Sequence, residues 1–224
     1  TGTLAPGTIF SIFGSDLAFG RGQGGTEGWL GPPAPTSLGG VSVKVGNRFA
    51  PLFFVSPGQI NGLIPYETTG TSVPVTIITG PNASGNTVTV NLIPTAPGIF
   101  TLGGSQGAIV NGTDNTITAP AGIFPGSHPA RPGDAVVIYA SGLGPVTPAL
   151  PSGVGSAASG STIPVLTTNP RVVIGGQQAT MKVTESTIKP GEKPIEAIFN
   201  LTKIAFINGG KPVVGSLEGF GKTV

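Results

Sequence analysis

The segment PGTIFSIFGSDL at residues 6–17 aligns without a gap on PGDAVVIYASGL at residues 132–143, at an offset of 126 residues. Both copies begin with Pro-Gly, carry an isoleucine near the middle and end on Ser-x-Leu. A second pair follows in the same order, because VKVGNRFA at residues 43–50 matches VVIGGQQA at residues 172–179 at an offset of 129. Two ordered matches indicate a duplicated unit, and a unit of roughly 100 residues suits one small β domain.

Short apolar and β-branched runs alternate with Gly, Pro and Asn along the chain, which is typical of the strands of a sandwich or barrel. Helix periodicity is nearly absent. We predict an all-β fold of two tandem immunoglobulin-like β-sandwich domains, residues 1–97 and residues 98–224, the second with a divergent C-terminal end. The predicted strands are 8–13, 41–45, 50–55, 59–63, 73–79, 87–92, 108–110, 134–139, 170–174, 179–183, 195–201 and 203–207.

The composition favours a folded chain with an uncharged polar surface. Gly and Pro are abundant, at 38 and 23 of 224 residues, but the mean hydropathy is +0.29 and only 9% of residues are charged. Disordered chains show the opposite balance. The formal net charge is +2 and the basic residues are scattered, so we expect no nucleic-acid partner.

Several classes of protein are disfavoured by what the sequence lacks. It contains no cysteine, which excludes disulfides and thiolate metal sites. It has no apolar run of about 18 residues, so we expect no membrane-spanning helix. No signal peptide is evident, and the first residue is Thr1 rather than Met, so we expect a processed or truncated product.

Seven segments resemble an uncharacterised domain family common near the C-terminal ends of large secreted proteins of acidobacteria. SPGQINGLIPYE at residues 56–67 is the most specific of them. The Pro-Gly segments are also similar to the immunoglobulin-like domains of plexins and transcription factors. The resemblance implies an extracellular immunoglobulin-like architecture with no known activity and no catalytic residues, and it fades after about Met181. The other segments are residues 5–15, 35–45, 95–101, 106–111, 132–144 and 170–179.

Candidate catalytic groups are few. His128 is the single histidine and lies in a Pro-rich segment, and only three Asp and six Glu are present. A nucleophile needs an adjacent base, and we interpret His128 as a loop residue rather than that base. The segment at residues 111–116 could bind calcium through oxygen ligands or form an Asx-rich turn, and we favour the turn. We therefore predict no catalytic residue, no cofactor and no metal.

Two further sets of residues are candidates for surface roles. N-x-S/T sequons make Asn82, Asn111 and Asn200 candidate glycosylation sites. Aromatic and apolar residues in strand-like or Gly-rich segments are candidate interface residues. Trp29 could stack on a sugar or pack on a neighbour, and we favour packing. The candidate interface residues are Trp29, Phe53, Phe54, Ile198 and Phe206.

The leading functional prediction is a non-enzymatic extracellular structural protein, a self-assembling surface or filament subunit. The alternative is an adhesive, carbohydrate-binding or spacer module of a larger secreted protein. The expected partner is the protein itself, with a surface polysaccharide as a second candidate. Sheet edges without lysine invite pairing between copies. We expect a terminal segment of one copy, the strand-like stretch at residues 195–207 or the strand at residues 8–13, to complete the sandwich of the next copy.

Overall fold

A computed structural model describes residues 2–18, 27–30, 33–80, 83–131, 133–154, 165–168, 170–174, 177–179, 181–183 and 204–206. These residues form strands and turns, and none of them lies in a helix. The N-terminal region contains β1 (Thr3–Leu4), β2 (Ile9–Phe13), β3 (Glu27–Gly28), β4 (Val41–Val45), β5 (Arg48–Phe49), β6 (Leu52–Val55), β7 (Gln59–Leu63), β8 (Ser72–Thr79) and β9 (Ala83–Leu92).

The C-terminal region has shorter strands in two-stranded sheets. It contains β10 (Gly98–Ile99), β11 (Ile109–Asn111), β12 (Val136–Ile138), β13 (Ala140–Ser141), β14 (Val146–Thr147), β15 (Val165–Leu166), β16 (Val173–Ile174), β17 (Gln177–Gln178), β18 (Met181–Val183) and β19 (Ile204–Phe206). The pairs are β10–β13, β11–β12, β14–β15, β16–β17 and β18–β19, all antiparallel.

Two sheets of the N-terminal region enclose one apolar core. The first has the order β1-β9-β8-β4-β5 and the second the order β2-β7-β6-β3. Valines at alternate positions of β4 are fully buried from one sheet, and Phe10, Leu52 and Ile60 are buried from the other. This is the layering of a β-sandwich, in which inward side chains of both sheets interdigitate. The all-β prediction is confirmed.

The first predicted repeat has the same turn in both copies. The Thr8 N–H donates to the Ala5 carbonyl at 3.0 Å, and the Asp134 N–H donates to the Arg131 carbonyl at 3.0 Å. The side chain of the last turn residue also accepts from the first backbone N–H, Thr8 Oγ1 at 3.1 Å and Asp134 Oδ2 at 2.7 Å. The glycine in each turn has positive φ, 79° at Gly7 and 92° at Gly133, a conformation that favours glycine.

The second predicted repeat is the same hairpin in both copies. Lys44 pairs with Phe49 and Val45 with Arg48, while Val173 pairs with Gln178 and Ile174 with Gln177. The next bond also repeats, from the Ala50 N–H to the Val43 carbonyl at 2.8 Å and from the Ala179 N–H to the Val172 carbonyl at 2.9 Å. Corresponding positions all differ by 129 residues, so the repeated sequence forms an equivalent local structure in both places.

The repeated strands β2 and β12 have partly different neighbours. β2 pairs antiparallel with β7 and lies at the edge of its sheet. β12 pairs antiparallel with β11, a strand that precedes it in the chain, and also lies beside β19. Each copy buries its inward residues, Phe10 in β2 and both Val136 and Ile138 in β12. The copies thus share a turn, a hairpin and an inward face, but they differ at one edge.

Most of the longer predicted strands are present. Val41–Val45 and Gln59–Leu63 have the predicted bounds. The strand predicted at residues 195–201 lies outside the described residues. In β6 the register shifts between Leu52 and Phe54, so Leu52 and Val55 are both buried and Phe53 and Phe54 are both half-buried. In a regularly alternating strand Phe53 and Phe54 face opposite sides, which predicts that one of them lies in the core. That prediction is wrong, because a β-bulge inserts an extra residue there.

Candidate functional site

The single histidine lies in a polar cluster that follows β11. His128 Nε2 is 2.7 Å from Asp114 Oδ2 and 3.1 Å from Thr116 Oγ1. The Thr116 hydroxyl donates to Asp114 Oδ1 at 2.7 Å, and His128 Nδ1 lies 2.9 Å from the Pro129 carbonyl. Both imidazole nitrogens thus face oxygen acceptors, which favours the doubly protonated ring.

The two charged groups stabilise each other's ionised forms. Hydrogen bonds from the Thr116 hydroxyl and from His128 lower the pKa of Asp114 to about 2. The Pro129 carbonyl and Asp114 raise the pKa of His128 above its usual value of 6.5. Asp114 and His128 are therefore both ionised at pH values between about 2 and the raised pKa of His128.

This geometry does not activate a nucleophile. In a Ser-His-Asp arrangement the carboxylate orients one imidazole nitrogen and the hydroxyl contacts the other. Here the carboxylate and the hydroxyl share Nε2, and the Thr116 proton is already donated to Asp114. The cluster holds the segment between β11 and β12 in place, in keeping with the interpretation of His128 as a loop residue.

The oxygen-rich segment after β11 forms two side-chain turns. Asn111 Oδ1 accepts the Thr113 N–H at 2.8 Å, and Asp114 Oδ1 accepts the Thr116 N–H at 3.0 Å. These are the Asx turns that we favoured over a calcium site. Within the described ranges, no three His, Cys, Asp or Glu side chains come close enough to hold a metal ion.

Asn111 is an interior residue in this fold. Its side chain is 1% exposed, and its amide nitrogen donates to Asp134 Oδ2 at 2.8 Å. Asp134 in turn accepts the Arg131 N–H of the repeated turn. A glycan on Asn111 would require this network to open. The other two sequon residues, Asn82 and Asn200, lie outside the described residues, as does Ile198.

The two regions are held together by hydrogen bonds around Ser152. Its Oγ accepts the Tyr66 N–H at 2.7 Å and donates to Glu67 Oε2 at 2.6 Å, while its N–H donates to Glu67 Oε1 at 3.1 Å. Burial raises the pKa of Glu67, but the bonds from Ser152, a backbone N–H and the charge of Arg48 outweigh it and hold that pKa below 4.5. The Ala34 N–H also donates to the Gly153 carbonyl at 2.8 Å.

At Gly142 the backbones of the two regions also come close together. Its carbonyl accepts the Ala96 N–H at 2.9 Å. Its φ is 73°, and a Cβ at this position would overlap the Ala96 carbonyl oxygen and lie 2.9 Å from Thr8 Oγ1. The equivalent residue of the first copy is Asp16, which has a φ of 57°. Both copies therefore use the left-handed conformation, but only one carries a side chain there.

The aromatic candidates pack on one another at the edge of the second sheet. The rings of Trp29 and Phe53 meet edge to face, with centroids 5.8 Å apart and planes at 61°. The backbone N–H of Trp29 donates to the backbone carbonyl of Phe53 at 2.9 Å. The indole nitrogen of Trp29 is buried without a hydrogen-bond partner among the described residues. Phe206, another candidate interface residue, lies in β19.

The longest edge strand of the N-terminal sandwich carries no charge. It is β2, with the sequence Ile-Phe-Ser-Ile-Phe, and its last residue, Phe13, is 54% exposed. The other edge strands, β1, β3 and β5, have two residues each, and β3 and β5 contain Glu27 and Arg48. Sequence reasoning placed a strand here, but its edge position emerges only from the sheet order.

Comparison with known proteins gives no assignment for this arrangement. In the part of the chain that the structure describes, no helix has the length and apolar character needed to cross a membrane. No protein-family model, no curated protein and no solved structure matches this chain.

Proposed function

We propose that this chain is a non-enzymatic, self-assembling structural protein, a subunit of an extracellular surface layer or filament. In this proposal residues 1–97 and 98–224 are two tandem immunoglobulin-like sandwich domains that arose by duplication. The extracellular location rests on the resemblance to secreted acidobacterial domains. The partner is another copy of the chain, with a surface polysaccharide as a second candidate.

The observation that carries the proposal is the uncharged edge strand β2. Natural sheets usually protect their edges with lysine, proline, bulges or very short strands. β1, β3 and β5 are short, and β3 and β5 are also charged, but β2 has five residues and neither device. A net charge of +2 on 224 residues adds little repulsion between copies.

The polar cluster supports a structural role. Asp114, Thr116 and His128 use their polar atoms on one another and on the local backbone. A hydrolase would instead need a hydroxyl or water poised for proton transfer to a base. We therefore expect His128→Ala to leave the chain folded and to remove no ester-, peptide- or glycoside-hydrolysing activity.

The alternative of a monomeric spacer or adhesive module is favoured by a separate observation. The contacts of Ser152 with Tyr66 and Glu67 fix the two regions to each other, as a rigid spacer would need. Sedimentation velocity of the full chain over a range of concentrations distinguishes the two proposals. A structural subunit gives regular assemblies that electron microscopy resolves, whereas a spacer sediments as a monomer throughout.

A further inference from the structure

The backbone groups on one side of β2 point away from its own sheet. The Thr8 carbonyl accepts the Ile64 N–H at 2.9 Å, and the Gly14 N–H donates to the Gly58 carbonyl at 3.2 Å. Because both backbone groups of a strand residue point the same way and alternate along the strand, Phe10 and Ile12 face β7. Ile9, Ser11 and Phe13 then direct their N–H and C=O groups outward. No described residue pairs with this open edge.

The second copy of the repeat shows what this edge accepts. The residues equivalent to Ile9 and Phe13, at an offset of 126, are Ala135 and Tyr139. The Ala135 carbonyl accepts the Gly112 N–H at 2.7 Å, and the Tyr139 N–H donates to the Ala108 carbonyl at 3.0 Å. These are the bonds by which antiparallel β11 covers β12. The same edge is therefore filled by an antiparallel strand in the C-terminal region and open in the N-terminal region.

We propose that the open edge of β2 pairs antiparallel with β2 of a second copy, about a two-fold axis at Ser11. This inference rests on the proposed function and names the contact by which assembly begins. The two edges are identical, so each copy satisfies the other's outward backbone groups, as an isologous interface requires. The result is one continuous eight-stranded sheet across two copies, since each contributes its four-stranded sheet.

Self-pairing suits the side chains of β2. A two-fold axis places like charges near each other, and β2 has none. The register sets Ile9 opposite Phe13 of the other copy, an aromatic and β-branched pair that stabilises sheets, and Ser11 opposite Ser11. Phe13, now 54% exposed, would be partly covered. β11 is not the occupant, because it is already paired with β12 in its own chain.

A cysteine cross-link tests the axis directly, because the chain has no cysteine of its own. Paired β2 strands put the Cα atoms of the two Ser11 residues within the distance that a disulfide spans, about 5.5 Å. We expect full-length Ser11→Cys to form a disulfide-linked dimer under mild oxidation. Ile123→Cys, at an exposed position outside the strands, is the control and should stay monomeric on a non-reducing gel. Equal cross-linking of both variants overturns the pairing.

Two further variants test whether pairing through the β2 edge can be abolished while the protein stays folded. Ser11→Pro removes an outward N–H and leaves the bonds to β7 intact, and Phe13→Lys places a charge in the paired edge, opposite Ile9 of the other copy. Both should sediment as folded monomers at concentrations where wild type and the control Ile123→Lys associate. Amide exchange of Ser11 should slow at least about tenfold on assembly, while that of Phe10 and Ile12 is slow throughout.

The possible outcomes of these measurements are distinct. If wild type assembles and both edge variants assemble equally well, the pairing is wrong and the proposed function stands. If the Ser11 amide is already protected in the dilute monomer, another part of the chain covers the edge and the pairing is wrong. If wild type stays monomeric at every concentration, the proposed function and the pairing both fail.

Discussion

Strands β2 and β12 begin with the same Pro-Gly turn, yet they have different surroundings. β2 has β7 on one side and an open edge on the other, whereas the equivalent edge of β12 is paired with β11, and β19 lies close to β12. The turn, the hairpin of β4 and β5, and the inward face are reproduced in the C-terminal region. The two repeated segments thus share their local hydrogen bonding, while their outer edges differ.

The difference extends to single positions that are equivalent by sequence. Gly142 contacts the other region, and its counterpart Asp16 is exposed to solvent. Gly7 packs against the Tyr66 ring, and its counterpart Gly133 has open space where a Cβ would be. The two members of each pair share a left-handed backbone conformation but have different neighbours. Substitution at both members therefore separates the energetic cost of backbone strain from the cost of disturbed packing.

The largest effect is expected at Gly142. Gly142→Ala forces a Cβ into the Ala96 carbonyl at a positive φ, and we expect a loss of about 3 kcal/mol of unfolding free energy in denaturant titration. The control is Asp16→Gly at the equivalent position. It should stay within about 1 kcal/mol of wild type, because relief of left-handed strain offsets the added entropy of the unfolded chain. Equal destabilisation of the two variants would contradict the proposed difference between the positions.

The second comparison concerns the turn glycines. Gly7→Ala and Gly133→Ala each introduce left-handed strain of about 1–2 kcal/mol. Gly7→Ala must also displace the Tyr66 ring, so we expect it to cost about 1–2 kcal/mol more than Gly133→Ala. The measurement is the difference between the two denaturation free energies. A difference near zero would mean that the ring moves freely.

The third comparison concerns the side chain that closes each turn. Asp134→Ala leaves both the Arg131 N–H and the buried Asn111 amide unpaired, at a cost of about 2 kcal/mol. Thr8→Val leaves the Ala5 N–H unpaired, at about 1 kcal/mol. Thermal denaturation of both variants should therefore lower Tm more for Asp134→Ala. The reverse order would show that Asn111 finds another acceptor.

The smallest effect is expected in the pH dependence of amide exchange in the segment held by His128. Because the pKa of Asp114 is depressed, its ionised carboxylate stabilises the fold fully above pH 3.8, and this stabilisation is lost as pH falls towards about 2. The raised pKa of His128 contributes stability that is complete below 6.5 and is lost as pH rises through the raised value. Exchange of the Thr116 amide, corrected for intrinsic rates, should be slowest between pH 3.8 and 6.5. In Asp114→Asn this minimum should disappear.

Strands with strong local patterns could be predicted from sequence, and contacts made across the fold could not. The alternating valines of Val41–Val45 and the Gly46-Asn47 turn define a hairpin by themselves. The two-residue strands β10 and β13 are too short to carry such a pattern, and their pairing joins segments that lie far apart in the chain. The β-bulge in β6 is likewise set by packing.

The candidate sites divide in the same way. The Asx turns after β11 follow from a run of Asn, Thr and Asp, and we anticipated them. The same run resembles a surface loop, and nothing local reveals that Asn111 is buried or that it donates a hydrogen bond to Asp134, which is 23 residues away. The bond between Glu67 and Ser152 spans 85 residues, and each residue alone is an ordinary surface type.

The parallel pairing of β1 with β9 has a mechanical consequence. Thr3 lies beside Asn91 and Leu4 beside Leu92, so the first and last strands of the N-terminal sandwich run side by side in one direction. The Ile93 N–H also donates to the Leu4 carbonyl at 2.9 Å. Tension that enters before Thr3 and leaves after Leu92 pulls the two strands past each other lengthwise. The connecting hydrogen bonds then bear the load together rather than one at a time, which resists stretching of the chain.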